Sequence, residues 1–329
     1  MIRNVVVVSD THFGCRLALC PLDGCALDDG GEYMPSDLQR KLWAIWLEFW
    51  AWVDTELDGE PFVLVHNGDS SDGVHHNSTT QISHNLEDQG TLAVEALAPY
   101  VAKAQTYYHI RGTEAHVGKS GVEEERVAKR LGAKQNTQGQ HARYDLWLDL
   151  GGHKIHFLHH VGTVSSNAYE ASAVGKELSE TINEAGRWGH EIPSCVVRSH
   201  RHRHIEVKVP THKGECIAFV TAAWQLKTPF AYKVAGARVS TPQIGGSIIR
   251  LHRSGVLYTR HFVKPVERSA CESVNHDRRA NGGDATAGEA TAGRTDKRGD
   301  RSASEVVAAN GNRKATKTAH GSRANRVRR

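Results

Sequence analysis

Short β-branched runs and longer stretches with helical spacing take turns along this chain. Val5–Ser9 is a continuous run that opens with four valines, the pattern of a strand buried on both faces. Ser36 offers an N-cap, and Leu38, Leu42, Ile45, Trp46, Phe49 and Val53 then fall at three- and four-residue spacing. That stripe predicts a helix through about Leu57. Trp43, Trp50 and Trp52 widen its apolar face, which reads as core. Phe62–His66 is a second strand, Leu86–Lys103 a second helix and Thr106–Arg111 a third strand. Gly121–Leu131 reads as a charged helix with Val122 and Val127 turned inward. Tyr144–Leu150 and Lys154–Leu158 flank Gly151-Gly152-His153 as a hairpin. A helix over about Asn167–Ala185 precedes strands at Cys195–Ser199, Ile205–Val209, Ile217–Thr221 and Ser247–His252; Leu257–Val263 closes the pattern. Helix-separated strands early and hairpin strands late predict an α/β fold of two mixed β-sheets flanked by helices.

The pattern stops near Val266. Residues 267–329 hold almost no large apolar side chains, so they cannot bury enough surface to offset their ordering entropy. They are read as a disordered, low-complexity basic tail behind a folded domain of residues 1–266. Residues 13–60 are read as an insertion in that domain, carrying the Trp-rich helix. The tail has 14 Lys/Arg against 8 Asp/Glu, or +6, and the whole chain is only +4, which leaves the body at −2. The body is therefore not a strongly basic nucleic-acid binder, and any general attraction to polyanions sits in the tail. Its end, residues 313–329, has seven basic residues and no acidic one, and suits either nucleic-acid contact or simple solubilisation. No apolar run approaches the roughly 18–20 residues of a membrane span. The N-terminal run reads as a strand and not as a signal peptide, so a cytoplasmic location is expected. The six cysteines are read as reduced thiols. Cys15, Cys20 and Cys25 lack a C-x2-C pair and read as loop thiols before a zinc site.

Every cluster of potential ligands follows a predicted strand, where open α/β sheets place their sites. The clusters are Asp10-Thr11-His12, Gly68-Asp69-Ser70-Ser71-Asp72-Gly73, Arg111-Gly112-Thr113-Glu114-Ala115-His116, His159-His160 and Ser199-His200-Arg201-His202. One histidine at a strand end is commonly a hydrogen-bonding group; five clusters in this order are harder to assign that way. Mixed Asp and His ligands suit divalent manganese, iron, nickel or zinc. A carboxylate bridging two cations builds the metal pair, roughly 3.5–4 Å apart, that serves phosphoryl hydrolysis.

These residues resemble the calcineurin-like metallophosphoesterase superfamily, whose blocks run D-x-H, G-D-x-x-D, G-N-H-[DE], a His after a strand, and G-H-x-H. The likeness spans roughly residues 1–263, and the wording of the second and third blocks is most similar to phage-encoded members, which implies a host cytoplasm. It implies a metallophosphoesterase sandwich of two sheets and two divalent metal ions, manganese first. Asp10, His12, Asp69 and His202 would hold one ion; Asp69 would bridge to a second held by His159 and His200, with His160 the fallback for His159. Asp72 would orient a ligand. A metal-bound hydroxide would attack phosphorus in line. The third block departs from the family by two extra residues. Thr113 stands where the family has a metal-binding Asn, Glu114 offers a carboxylate instead, and His116 takes the place of the catalytic His.

Two further departures bear on substrate. Gly73 stands where protein Ser/Thr phosphatases have Arg, and Asp72 where purple acid phosphatases have a metal-binding Tyr. A phosphodiesterase or nuclease is the reading that remains, with a phosphomonoesterase behind it. Arg111, Arg201 and His76 are candidate substrate contacts, beside His75. The competing classes are a noncatalytic metal-binding scaffold of the same fold, motivated by the altered third block, and a zinc module on Cys15, Cys20 and Cys25. Partners expected are a phosphoester substrate, with nucleic acid a candidate, and no membrane; oligomeric state has no signature.

Overall fold

The computed structural model describes residues 2–162, 167–211, 214–234 and 237–267. The tail reading for residues 267–329 thus falls almost wholly outside the described residues. Among the described residues, thirteen strands and five α-helices follow in this order: β1 (Asn4–Val8), β2 (Cys25–Ala26), β3 (Glu32–Tyr33), α1 (Asp37–Leu57), β4 (Phe62–His66), α2 (Leu86–Lys103), β5 (Thr106–Ile110), α3 (Glu114–Val117), α4 (Val122–Arg130), β6 (Ala142–Arg143), β7 (Leu146–Leu150), β8 (His153–Phe157), α5 (Glu170–Trp188), β9 (Cys195–Arg198), β10 (Ile205–Thr211), β11 (Gly214–Val220), β12 (Gln243–Leu251) and β13 (Leu257–Pro265).

Two mixed sheets carry the fold. The six-stranded sheet runs β13-β12-β1-β4-β5-β6, with β1, β4, β5 and β6 parallel and β12 and β13 antiparallel at one side. The five-stranded sheet runs β10-β11-β9-β8-β7, with β9 parallel to both β8 and β11. Alternation along each strand explains the layering. Val5, Val7, Val63 and Val65 face Phe157, Val197 and Phe219 between the sheets. Val6, Val8 and Leu64 face the other way, onto helices that bring Trp46, Leu97 and Val127. Val174 and Leu178 of α5 cover Val196 and Ala218 on the outer side of the smaller sheet. The result is a helix–sheet–sheet–helix sandwich, as the alternation of periods implied.

The long Trp-rich helix begins where the sequence signals it. Ser36 accepts from the Gln39 backbone N–H while the Gln39 side chain accepts from the Ser36 N–H, a reciprocal cap. Trp46 is fully buried and sets its ring edge-on to Trp50, Tyr100 and Trp224 at centroid distances of 5.4, 5.4 and 4.7 Å. Trp224 in turn donates its backbone N–H to the Asp10 carbonyl at 2.9 Å, which ties this aromatic core to the first ligand loop.

Two expectations need correction, and one strand went unpredicted. Val122 is 53% exposed, because it is the first residue of α4 and the inward positions of that turn belong to Glu123 and Glu124. Leu38, at the start of α1, is also exposed. The two-residue strand β6 left no periodic trace, yet it extends the main sheet beside β5.

Trp46→Ala is expected to cost about 3–5 kcal/mol of stability, as for a large aromatic removed from a packed core. Val122→Ala is expected to stay within about 0.5 kcal/mol. Urea unfolding of the two variants checks the contrast, and equal losses would contradict the packing described.

Candidate metal centre

The parallel strands β1, β4 and β5 end side by side, and β8 and β9 end beside each other in the second sheet. Five loops therefore meet at one edge of the sandwich. They bring together Asp10, His12, Asp69, Asp72, Thr113, His116, His159, His200 and His202. Two convergent sets, Asp10–His12–His202 and Asp69–His159–His200, each put their ligand atoms within 4.8 Å of one another. A third set joins His12, Asp69 and His116, so Asp69 belongs to both sides.

The backbone bends hard to achieve this. Asp10, His12, Asp69, His200 and His202 all have positive φ, between 43° and 74°. That region costs an ordinary residue of order 1–3 kcal/mol and is held only where the surroundings over-determine it. Gly68, at φ 96°, is needed outright: a Cβ there would lie 2.5 Å from the His159 ring. At Gly112 a Cβ would lie 2.1 Å from Asp69 Oδ1, so only glycine lets the third loop approach the carboxylate.

The fine geometry is a mesh of short contacts. His159 Nε2 lies 3.0 Å from Asp69 Oδ2, and its Nδ1 donates to the Asn67 carbonyl at 2.7 Å. That bond fixes the ring and turns Nε2 toward the carboxylates. His202 Nε2 lies 3.3 Å from Asp10 Oδ1 and 3.1 Å from His12 Nε2, so two imidazoles and a carboxylate aim at one place. Thr113 donates its backbone N–H to Asp69 Oδ1 at 2.7 Å, and its hydroxyl lies 3.2 Å from Asp69 Oδ2 and 3.0 Å from His200 Nδ1. Asp72 Oδ1 stands 3.5 Å from His12 Nδ1. Gln225 and Gln81 donate to the two Asp72 oxygens at 2.9 and 2.8 Å. His116 Nδ1 donates to the Asp72 carbonyl at 2.6 Å, and its ring packs edge-on to His12.

Electrostatics follow from burial. Burial alone would keep Asp10 neutral, but the His202 hydrogen bond and the nearby charge of His159 hold its carboxyl well below the usual carboxylate range. Asp69 is held low in the same way, against its burial, by His159 above all. Burial disfavours a charge on His159, yet Asp69 and Asp10 together lift its pKa to about 10. Burial pushes His116 down to about 4, so it is neutral near pH 7.

The donor set fits divalent cations. Asp10 Oδ1 is fully buried with only the His202 ring, at 3.3 Å and poorly aligned, to meet it, an expensive state for a carboxylate oxygen unless a cation does so. Two His/Asp sets of mixed N and O donors could coordinate two divalent metals.

Not every residue singled out from the sequence joins the cluster. Glu114 is exposed and belongs to no convergent set among the described residues. Arg111 is buried behind the third loop, where its guanidinium donates to the carbonyls of Ala142 and Ser120 at 3.1 and 2.9 Å. His160 is exposed, while His159 is buried in the cluster. Arg201 and His76 do border the cleft. Cys15 and Cys20 are buried thiols, each pushed up to about 12 by that burial, and join no convergent set among the described residues.

Several supporting residues left no motif. Asn67 donates to the Leu158 carbonyl at 3.0 Å and to Ser199 Oγ at 2.7 Å, joining three ligand loops. Glu124 accepts from the Ser70 N–H at 2.8 Å, directly after Asp69, and pairs with His109. His109 Nδ1 meets the Tyr107 hydroxyl at 2.6 Å, and His66 Nε2 meets Thr11 Oγ1 at 3.0 Å. Polar residues inside otherwise apolar strands were the only available signal for His66 and His109.

No family model matches the chain, and no curated protein matches it. Solved structures do. The chain is similar to Vps29 from Chaetomium thermophilum at 10% identity, with a TM-score of 0.34 over 80% of this chain and 97% of that one. The same protein with a cyclic peptide gives 9% identity and a TM-score of 0.31, over 80% and 96% of the two chains. A Thermus thermophilus sulfate thiohydrolase, SoxB, solved with glycerol, gives 10% identity and 0.33, over 80% of this chain and 56% of that one. The two mixed sheets and the His/Asp cluster at their edge are compatible with a calcineurin-like metallophosphoesterase type of fold.

Asp69 and Asp10 push the His159 pKa up to about 10, so a cation that takes its Nε2 has a proton to displace. Affinity for Mn²⁺ is therefore expected to rise with pH from neutrality toward 10. Calorimetry at pH 7 in two buffers of different ionisation heat checks this. His159→Asn is expected to release fewer protons; unchanged release would contradict the assignment.

Proposed function

We propose that this chain is a dinuclear metal-dependent phosphoesterase that hydrolyses phosphodiesters. The observation that carries the reading is the position of Asp69, shared between the His12–His116 side and the His159–His200 side of one cluster. A single carboxylate common to two donor sets is what a paired-cation hydrolase requires. In this reading Asp10, His12, Asp69 and His202 hold one ion, and Asp69, His159 and His200 the other. Such ions, when bound, supply Lewis acidity and neutralise the charge that develops on the phosphoryl oxygens.

The chain's own residues do the rest. Asn67 fixes the His159 ring through Nδ1, which keeps Nε2 free of a proton once a cation displaces it. Thr113 holds both Asp69 oxygens in orientation. Asp72, braced by Gln81 and Gln225, orients His12. His116 donates from Nδ1 to a carbonyl, so its Nε2 is the atom that exchanges a proton with an ester oxygen. Arg201 donates through Nη2 to the Gly162 carbonyl, but its Nη1 has no partner and can pair with a phosphate in the cleft it borders; Arg111 is committed to two backbone carbonyls away from the cleft. Glu114 is given no ligand role, because it faces solvent.

Metal-stripped protein refilled with Mn²⁺, Ni²⁺ or Zn²⁺ is expected to cleave bis-p-nitrophenyl phosphate faster than p-nitrophenyl phosphate. Asp69→Asn should reduce both rates to background, and a variant near the wild-type rate would refute the shared-carboxylate assignment. His116→Ala is expected to lower turnover by about 10²–10⁴-fold with metal content unchanged; loss of metal would instead make His116 a ligand. Two bound ions with no turnover on any ester would favour a noncatalytic scaffold, for which the altered loop from Thr113 to His116 is the motive.

A further inference from the structure

A cavity of about 240 Å³ opens beside the metal centre, between the second ligand loop and the segment that follows β11. His116, His200 and His202 form its inner wall, so it is continuous with both donor sets. The other walls are largely apolar, from Leu226, Phe230, Ala231 and Pro242. Phe230 and His76 both border it, with their rings 4.1 Å apart and 24° from parallel. An ester seated on the two ions would therefore point one substituent at a flat aromatic wall.

Several polar groups around this cavity are already engaged, while Arg201 Nη1 and His75 Nε2 at its border have no hydrogen-bond partner. Gln225 Nε2 donates to Asp72, Lys227 Nζ donates to the Arg238 carbonyl at 2.5 Å, and the Thr228 hydroxyl accepts from the Ala231 N–H at 3.4 Å. Between those groups Leu226, Phe230, Ala231 and Pro242 offer apolar surface, which does not read hydrogen-bonding edges. The volume is below the roughly 300–1,000 Å³ of sites for drug-sized ligands, so it suits one flat ring system. Cationic Arg201 and Lys227 stand around the same opening, favouring an anionic substrate.

We propose that this cavity receives the unpaired base of a nucleotide whose phosphate lies at the metal centre; this rests on the phosphoesterase reading. Base–aromatic stacking is tolerant of base identity, which matches the largely apolar walls. A base within a duplex is stacked on both faces and paired at its edge, so it could enter only after extrusion. The substrate class is then single-stranded nucleic acid or small nucleotide esters.

The test compares two ligands that differ only in the base, AMP and ribose 5-phosphate, titrated calorimetrically into the full-length Mn²⁺-loaded protein. AMP is expected to bind about tenfold tighter or better, the size of one base stacked on an aromatic ring. Phe230→Ala should bring the ratio close to one, and Phe230→Trp should keep it. A wild-type ratio near one, with both ligands binding, would overturn the base pocket and leave the phosphoesterase reading standing. A ratio that survives Phe230→Ala would overturn the stacking wall. Failure of both ligands to bind, together with no hydrolysis of bis-p-nitrophenyl phosphate, would overturn both readings.

Discussion

Two carboxylates, Asp10 and Asp69, are buried together at the edge of this sandwich, at 0% and 1% exposure. Among the described residues no lysine or arginine pairs with either; their compensation is imidazole, from His159 and His202. Burying like charges this way is costly unless something cationic meets them. In the absence of metal, His159 is made to hold a proton far above its ordinary range, which is the protein's own partial answer. A divalent ion between the donors is the fuller one. The rest of the structure can be understood as the means of keeping two acids in a place they would not choose.

Those means are arranged from the inside outward. Trp46 packs on Trp224, Trp224 holds the Asp10 carbonyl, and so the largest buried aromatic group fixes the first ligand loop. Glu124 holds the backbone after Asp69, and is itself buried enough that its pKa is pushed up to about 8. Asn67 spans to the loops after β8 and β9. With these braces, five residues of the His/Asp cluster stay in left-handed backbone, a conformation that Asp and His tolerate better than bulky or β-branched side chains. Stability is thus given up locally for convergence, and the aromatic and polar braces offset it.

Much of this was legible in the sequence because period and chemistry reinforce each other. Four valines before Asp10, and Phe62–His66 before Asp69, mark strands whose ends carry members of the His/Asp cluster. The order of five blocks, more than any one block, pointed to a shared site. Illegible parts were those decided by tertiary contact. Val122 reads as core by type, yet the turn gives its inward place to Glu124, which has a backbone donor to satisfy. Arg111 reads as a phosphate clamp by its position before the third block, but carbonyls at Ala142 and Ser120 claim it. Strand β6, two residues long, has too few positions for a period to appear.

The loop after β5 shows how local winding decides which side chains reach the cluster. Residues Glu114–Val117 form a single helical turn, closed by the His116 and Val117 N–H groups on the Thr113 carbonyl at 2.8 and 3.0 Å. On a helix, residues three apart share a face and the next residue along is rotated by about 100°. Thr113 and His116 therefore both look into the cleft, while Glu114 is carried out to solvent. Glu114 and Ala115, which in an extended loop would carry His116 several ångströms away from Thr113, are instead wound into a turn. The carboxylate that seemed the better ligand on chemistry alone is removed by the same winding that brings His116 within reach of His12.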